Sequence, residues 1–306
     1  MEPPSGSGSF VAAEVADQPD AWRRSALLGA TGEPFQFGAR TALLGCGSSW
    51  HAGSAIAALR EQAGAGETDA YPASEARLDR AYARVIAISR SGRTSELLSA
   101  LELVPVGVAK LAIVGDPASP VAAACDGMID LSFADDRSVV QTRFVTSAIA
   151  FGRAALGMSV DRAISDAQAV VDGELALNPV DVGQFAFLGQ GWCVGLARAA
   201  ALVARETAQA RAEAHPAMEY RHGPIATAGP GTVVWFIGAA PDGLAGEIEA
   251  TGATVMHSTL DPLAELVRVQ RVALALAALR GLDPDRPPNL SRAVVLGTSD
   301  REEVPR

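Results

Sequence analysis

Residues 84–94 read RVIAISRSGRT. The run Arg84–Ser89 is apolar, β-branched and too short for a helix, so it reads as a buried strand. A Ser/Gly turn follows it, and the spacing beyond predicts a helix over 94–103. A strand that passes through a glycine turn into a helix is half of a βαβ unit. Working outward, the same grammar recurs on both sides. Thr41–Gly45 (TALLG) is a second buried strand, with a Gly/Ser turn and a helix over 50–63. Leu111–Gly115 (LAIVG) and Met128–Ser132 (MIDLS) are further strands, and a helical stretch over 139–157 follows. Strands alternating with helices predict an α/β fold with a parallel sheet.

A second series begins after residues 178–184, which read as a linker. Phe185–Gly189 (FAFLG), Thr232–Gly238 (TVVWFIG) and Ala253–Met256 (ATVM) are strands, with helices over 193–212 and 262–280. The two series repeat. Gly45-Cys46-Gly47 matches Gly189-Gln190-Gly191 at an offset of 144, and Ala70–Glu75 (AYPASE) matches Ala214–Glu219 (AHPAME) at the same offset. Two separate matches at one offset predict an internally duplicated α/β domain. Residues 1–38 form an N-terminal arm, unstructured over 1–9 and helical over 10–28 with a break at Pro19. The units are expected at 39–177 and 178–282, with a tail over 283–306.

A length of 306 residues at about 150 per domain also gives two domains. Charge is 25 − 35 = −10, so there is no general electrostatic footprint for nucleic acid or an anionic membrane. The longest apolar stretch, Val272–Leu279, is too short to span a bilayer, and Met1–Phe10 lacks the pattern of a signal peptide. The expectation is a soluble, cytoplasmic protein. Cys46, Cys125 and Cys193 lie far apart in apolar sequence and read as buried side chains. No Cys/His pattern suggests zinc, and neither a metal nor a cofactor is expected. Lys110 is the only lysine, so a Schiff-base mechanism must use Lys110 or fail.

The turn Ser89-Arg90-Ser91-Gly92-Arg93-Thr94 places hydroxyls and a glycine between a strand and a helix start. Such a turn can surround an anion, with helix N–H groups completing the shell. It ends in neither a Walker GK[ST] nor a Rossmann GxGxxG. Gly47-Ser48-Ser49 supplies a second hydroxyl pair at another strand end. In a parallel sheet both turns lie at the carboxyl edge, where ligands bind. Hydroxyls at such positions also cap helices; two such loops in one unit point to phosphate. The second unit lacks them: Gly191-Trp192-Cys193 and Gly238–Gly243 carry no hydroxyl. The second unit instead carries Glu206, Glu213, His215, Glu219, Arg221 and His222. Glu206 sits within an apolar helix, where burial raises a carboxyl pKa and makes a base that works near neutrality. His222 precedes Gly223-Pro224, a turn that can present an imidazole.

Together these residues resemble the sugar isomerase (SIS) domain family, in particular its double-domain members. These comprise the isomerase half of glucosamine-6-phosphate synthase and free-standing aminosugar-phosphate deaminases, ketose/aldose-phosphate isomerases and fructosamine-phosphate deglycases. The matching motifs are Gly45–Ser49, Ala73-Ser74-Glu75, Ser89–Thr94, Glu206, Ala212-Glu213-Ala214 and Glu219–Pro224, together with Glu14–Pro19 in the arm and Asn289–Arg292 in the tail. The resemblance spans roughly residues 10–298. It implies two tandem SIS domains, each a parallel sheet flanked by helices. It implies that Ser48, Ser89, Ser91 and Thr94 hold a sugar phosphate, with Ser49 and Arg90 in the same loops. Gly47, Val139 and Arg292 would approach the sugar. Glu206 would move a proton between C1 and C2. His222 would assist ring opening from a partner subunit, which implies a homodimer.

Three departures shape the expected activity. No glutaminase half or N-terminal nucleophilic cysteine is present, the family's tail lysine is replaced by Arg292, and the synthase's lysine three residues before the acid is replaced by Val203. The expectation is a deaminase/isomerase acting on a 2-amino-2-deoxyhexose 6-phosphate. The alternatives are a nitrogen-free ketose/aldose isomerase, a fructosamine-phosphate deglycase, or a non-catalytic phosphosugar sensor.

Overall fold

A computed structural model describes residues 8–31 and 38–297. The arm forms two helices, α1 (Ser9–Ala16) and α2 (Gln18–Thr31). The first unit follows as β1 (Thr41–Gly45), α3 (Ser48–Gln62), β2 (Thr68–Pro72), β3 (Arg84–Ser89), α4 (Ser95–Glu102), β4 (Ala109–Val114), α5 (Pro120–Ala123) and β5 (Gly127–Asp130). Helices α6 (Arg143–Ala155) and α7 (Asp161–Asp172) come next. The second unit is β6 (Gln184–Gly189), α8 (Cys193–Ala208), β7 (Arg211–Pro216), β8 (Thr232–Ile237), α9 (Leu244–Glu249), β9 (Thr254–Met256) and α10 (Pro262–Leu279).

Two parallel sheets flanked by helices result. Their strand orders are β2-β1-β3-β4-β5 and β7-β6-β8-β9, so the second sheet repeats the order of the first through four strands. The repeat reaches the backbone. Gly45 and Gly189 end their central strands, and a Cβ on either would meet the following helix backbone at 2.6 and 2.4 Å. Gly47 and Gly191 then turn the chain with φ of 54° and 55°, a conformation open mainly to glycine. One continuous core fills the space between the sheets, with Phe144, Phe151, Phe187 and Trp235 fully buried. A smaller core covers the outer face of each sheet. Helices α3 and α8 approach closely across the middle: a Cβ on Gly195 would lie 2.7 Å from the Ala55 amide.

Several sequence expectations shift. Ser9 opens α1, so the unstructured segment expected over 1–9 does not reach it; residues 1–7 lie outside the described residues. The arm breaks at Asp17, and Pro19 sits in the first turn of α2, where its missing N–H costs nothing. Helix α8 ends at Ala208 rather than 212. Gln209 turns left-handed (φ 49°), and the next residues pair with β6 as β7. Helix α6 begins at Arg143 rather than 139, because the Asp136 carboxylate accepts from the Arg143 and Phe144 amides and starts the helix there. Cys46 and Cys125 are only half-buried; Cys193 is buried. Among the described residues no helix is long and apolar enough to cross a membrane.

Candidate active site

The two hydroxyl loops leave neighbouring parallel strands. β1 and β3 pair in register, so both loops open at the same carboxyl edge. Ser48 and Ser49 begin α3 and are buried. The Ser49 hydroxyl donates to Gln141 Oε1 at 3.3 Å. In the second loop, Ser89 Oγ accepts from the Gly92 amide at 3.0 Å and Ser91 Oγ from the Arg93 amide at 3.3 Å. Thr94 stands at the N-cap of α4 with its side chain uncommitted to the cap. Gly92 is compulsory here: φ is +61°, and a Cβ would lie 1.9 Å from Ser119 Oγ. Serine hydroxyls, main-chain amides and a helix start therefore gather at one sheet edge, a donor set suited to a phosphate.

Arg90 takes a different part from the one its place in the loop suggests. It is 1% exposed, and its guanidinium turns toward main-chain carbonyls. Nη1 donates to Ser138 O at 2.7 Å and to Val139 O at 3.1 Å. Nη2 donates to Arg292 O at 2.7 Å. The Arg292 side chain in turn holds both Asp135 oxygens, at 2.5 and 2.6 Å. Residues beyond it continue along α4: the Ser95 amide donates to Val294 O at 3.1 Å and the Leu296 amide to Ser95 Oγ at 2.9 Å. Val139 and Arg292 thus lie at the expected edge, with their carbonyls engaged by Arg90.

The segment carrying Val139 is fixed from the arm as well. Glu14 on α1 accepts from the Arg137 and Ser138 amides at 2.5 and 3.1 Å and from Ser138 Oγ at 2.5 Å. Burial, together with the nearby Asp136 charge, raises the Glu14 carboxyl to about 7. Helix α1 is itself capped from the tail, since Asp285 accepts from the Phe10 and Val11 amides. Sequence reasoning missed the parts played by Glu14, Asp135, Asp136 and Gln141. The signals for them were Glu14 at the head of the arm motif Glu14–Pro19 and the Asp135-Asp136 pair just ahead of a helical run, where acids cap helix starts.

Glu206 lies in the last turns of α8. A Cβ on Gly47 would stand 3.9 Å from Leu202 Cδ2, one turn before Glu206, so this face of α8 looks onto the first hydroxyl loop. Burial raises the Glu206 carboxyl to about 7, against the opposing pull of the Arg90 and Arg205 charges. His51, two residues after Ser49, is pushed down to about 4 by burial and by Arg198 and Arg205; it is neutral near pH 7. The site therefore holds a carboxyl that burial raises to about 7, near the sheet edge where the hydroxyl loops open.

His222 ends the short 3-10 turn Ala217–His222 and is exposed. Lys110 is remote from the hydroxyl loops: it is the second residue of β4, on a sheet whose loop-bearing edge is the other end. At about 3.3 Å per residue, the remaining four residues of the strand put it ~13 Å from that edge. Among the described residues no group of three His, Cys, Asp or Glu side chains could hold a metal ion. A cavity of about 580 Å³ lies beside α4, lined by Ala73, Ser74, Glu96, Leu103 and Leu296 among others, and includes none of the loop hydroxyls.

No family profile matches the chain. It is 28% identical over 327 residues to the isomerizing glutamine–fructose-6-phosphate aminotransferase of Gloeobacter violaceus, covering 88% of this chain and 54% of that protein. With the Methanothermobacter thermautotrophicus enzyme of the same name it shares 27% over 354 residues, 97% of this chain and 59% of that one. The chain thus spans a little over half the length of these curated relatives. Among solved structures it resembles a glucosamine-6-phosphate deaminase from Thermotoga maritima. The TM-score there is 0.78 at 24% identity, over 94% of this chain and 100% of that one. It also resembles tagatose-6-phosphate ketose/aldose isomerase from Escherichia coli, with a TM-score of 0.77 at 20% identity over 98% and 100%. Similarity at this level concerns the fold.

Proposed function

We propose that the chain is a phosphosugar isomerase of the SIS type and that its reaction removes ammonia from a 2-amino-2-deoxyhexose 6-phosphate. The observation that carries this reading is Glu206, a carboxylate raised to about 7 on a helix face that looks onto the hydroxyl loops. The phosphate sits among Ser48, Ser49, Ser89, Ser91 and Thr94 and anchors the substrate at its unreactive end, which contributes binding energy to the step at C1 and C2. In the open-chain aldehyde, Glu206 takes the proton from C2; the electron pair forms the C1–C2 double bond while the C1 carbonyl oxygen takes a proton from solvent, giving an enolamine. Glu206 returns the proton to C1, leaving a C2 iminium. Water adds to C2, ammonia leaves, and a ketose 6-phosphate remains. One base on one face serves both transfers.

Ring opening needs an acid at the ring oxygen, and we assign it to His222 of a partner copy, since His222 is exposed on its own chain. A lysine Schiff base has no place in this scheme: the only lysine, Lys110, lies at the opposite end of its strand. The substitution of Val203 and Arg292 for the lysines of the synthase-like relatives agrees with ammonia removal and also with isomerisation without nitrogen. Ammonia release from a panel of 2-amino-2-deoxyhexose 6-phosphates, with fructosamine 6-phosphates alongside, tests the reading. Release from a 2-amino-2-deoxyhexose 6-phosphate, abolished by Glu206→Gln, is the expected result. Aldose–ketose exchange without ammonia from any of them would replace it with the nitrogen-free isomerase. Tight phosphosugar binding with neither reaction would point to a sensor.

A further inference from the structure

The loop that carries the candidate phosphate-binding hydroxyls also carries a fully buried guanidinium committed to main-chain carbonyls. Arg90 spends both Nη atoms on carbonyls of Ser138, Val139 and Arg292, the last 202 residues further along the chain. A buried, charged donor stripped of an acceptor is destabilising, because no water replaces the lost partner. The C-terminal segment therefore cannot lift away without stripping Nη2 of its acceptor, and the 138–139 carbonyls cannot shift without loosening the same side chain.

Resting on the phosphosugar site proposed above, we infer that Arg90 is a positioning residue, not an anion ligand: it latches the tail at Arg292 to the 138–139 segment, so that tail closure and the order of the 138–139 segment are one event. The Arg292–Asp135 pair is the outer fastening of the same latch, more exposed and so weaker.

The test compares Arg90→Met and Arg90→Lys with the unmodified full chain. Inorganic phosphate binding and amide hydrogen exchange over 289–296 are measured in each. In Arg90→Met, tail exchange is expected to quicken at least about tenfold, the equivalent of one charged hydrogen bond. Phosphate affinity should change less than about threefold, and kcat should fall by more than KM rises. Arg90→Lys should not restore tail protection, because an ammonium cannot fork to separated carbonyls. Loss of phosphate binding with the tail still protected would make Arg90 an anion ligand and overturn the inference. Where Arg90→Met fails to fold, Asp135→Asn serves. It frees the Arg292 side chain but keeps the carbonyl on Arg90, so tail protection should persist; its loss would show that the outer pair holds the tail instead. Exchange and phosphate binding are read without turnover. Inactivity on every phosphosugar would therefore overturn the functional reading and leave this one standing.

Discussion

The Ser138 hydroxyl donates to Glu14 Oε2 at 2.5 Å across 124 residues of chain, joining the first helix of the arm to the segment that faces the candidate site. The Glu14 carboxyl is raised from 4.5 to about 7, so between those values the folded state binds the more protons. Stability must then fall as pH rises from about 4.5 to 7 and level off above. The full effect is on the order of 3 kcal/mol, shared with Asp136, whose carboxyl burial also raises. Glu14→Gln keeps an acceptor for the amides but cannot ionise. Urea midpoints across pH 5 to 8 should decline less steeply in this variant than in the parent. An unchanged slope would remove Glu14 from the account.

The same shift at Glu206 has a kinetic consequence. As the proposed base, Glu206 would work only when ionised, so kcat/KM should drop as pH falls below about 7 and reach a plateau above it. Glu206→Gln should lower turnover by about 10²–10⁴ while phosphosugar affinity stays within a few-fold. A profile flat from pH 5 to 8, or affinity lost together with turnover, would assign the proton transfer elsewhere.

The parts of the fold legible in the sequence were those built on burial. β1 and β3 appear at their expected ends because TALLG and RVIAIS are buried on both faces and carry no ambiguity of period. β2 and β7 were not anticipated as strands. Both are sheet edges, half-exposed, and their sequences TDAYP and RAEAHP lack an apolar run. The hydroxyl loops were legible because their glycines and serines act locally. The partners of Arg90 and Glu14 were not, since main-chain carbonyls and amides have no residue code. A charge that settles on distant backbone looks from the sequence like one free for a ligand.

Two glycine turns, one from each unit, give a comparison. Gly92 and Gly191 both have positive φ, but only Gly92 is walled in: a Cβ there lies 1.9 Å from Ser119 Oγ, while one on Gly191 meets nothing within 4 Å. Gly191→Ala should cost about 1 kcal/mol, from backbone strain alone. Gly92→Ala should cost that and a steric term of about 1–3 kcal/mol, and should weaken phosphate binding by displacing the Ser89–Gly92 turn. Chemical denaturation of both variants, with phosphate titrations, checks the order. Equal effects would mean that Ser119 yields freely.

The two units are fastened at Arg153 and Asp261. Arg153 on α6 donates to both Asp261 oxygens, at 2.8 and 2.9 Å, and both side chains are nearly buried. Asp261 also caps α10 by accepting from the Leu263 amide. A buried ion pair adds little over an apolar pair of the same shape, but breaking it by removing one partner leaves a charge uncompensated. Asp261→Ala should therefore destabilise by about 3–5 kcal/mol, the lost helix cap included. Arg153→Met should cost less, because its removal strands a carboxylate that still accepts from the Leu263 amide. Urea denaturation of the two variants decides the asymmetry. If Arg153→Met proved the more damaging, the Arg153 side chain would matter chiefly through its stem packing and its place over the Trp192 ring, 5.5 Å away, rather than through the charge it brings to Asp261.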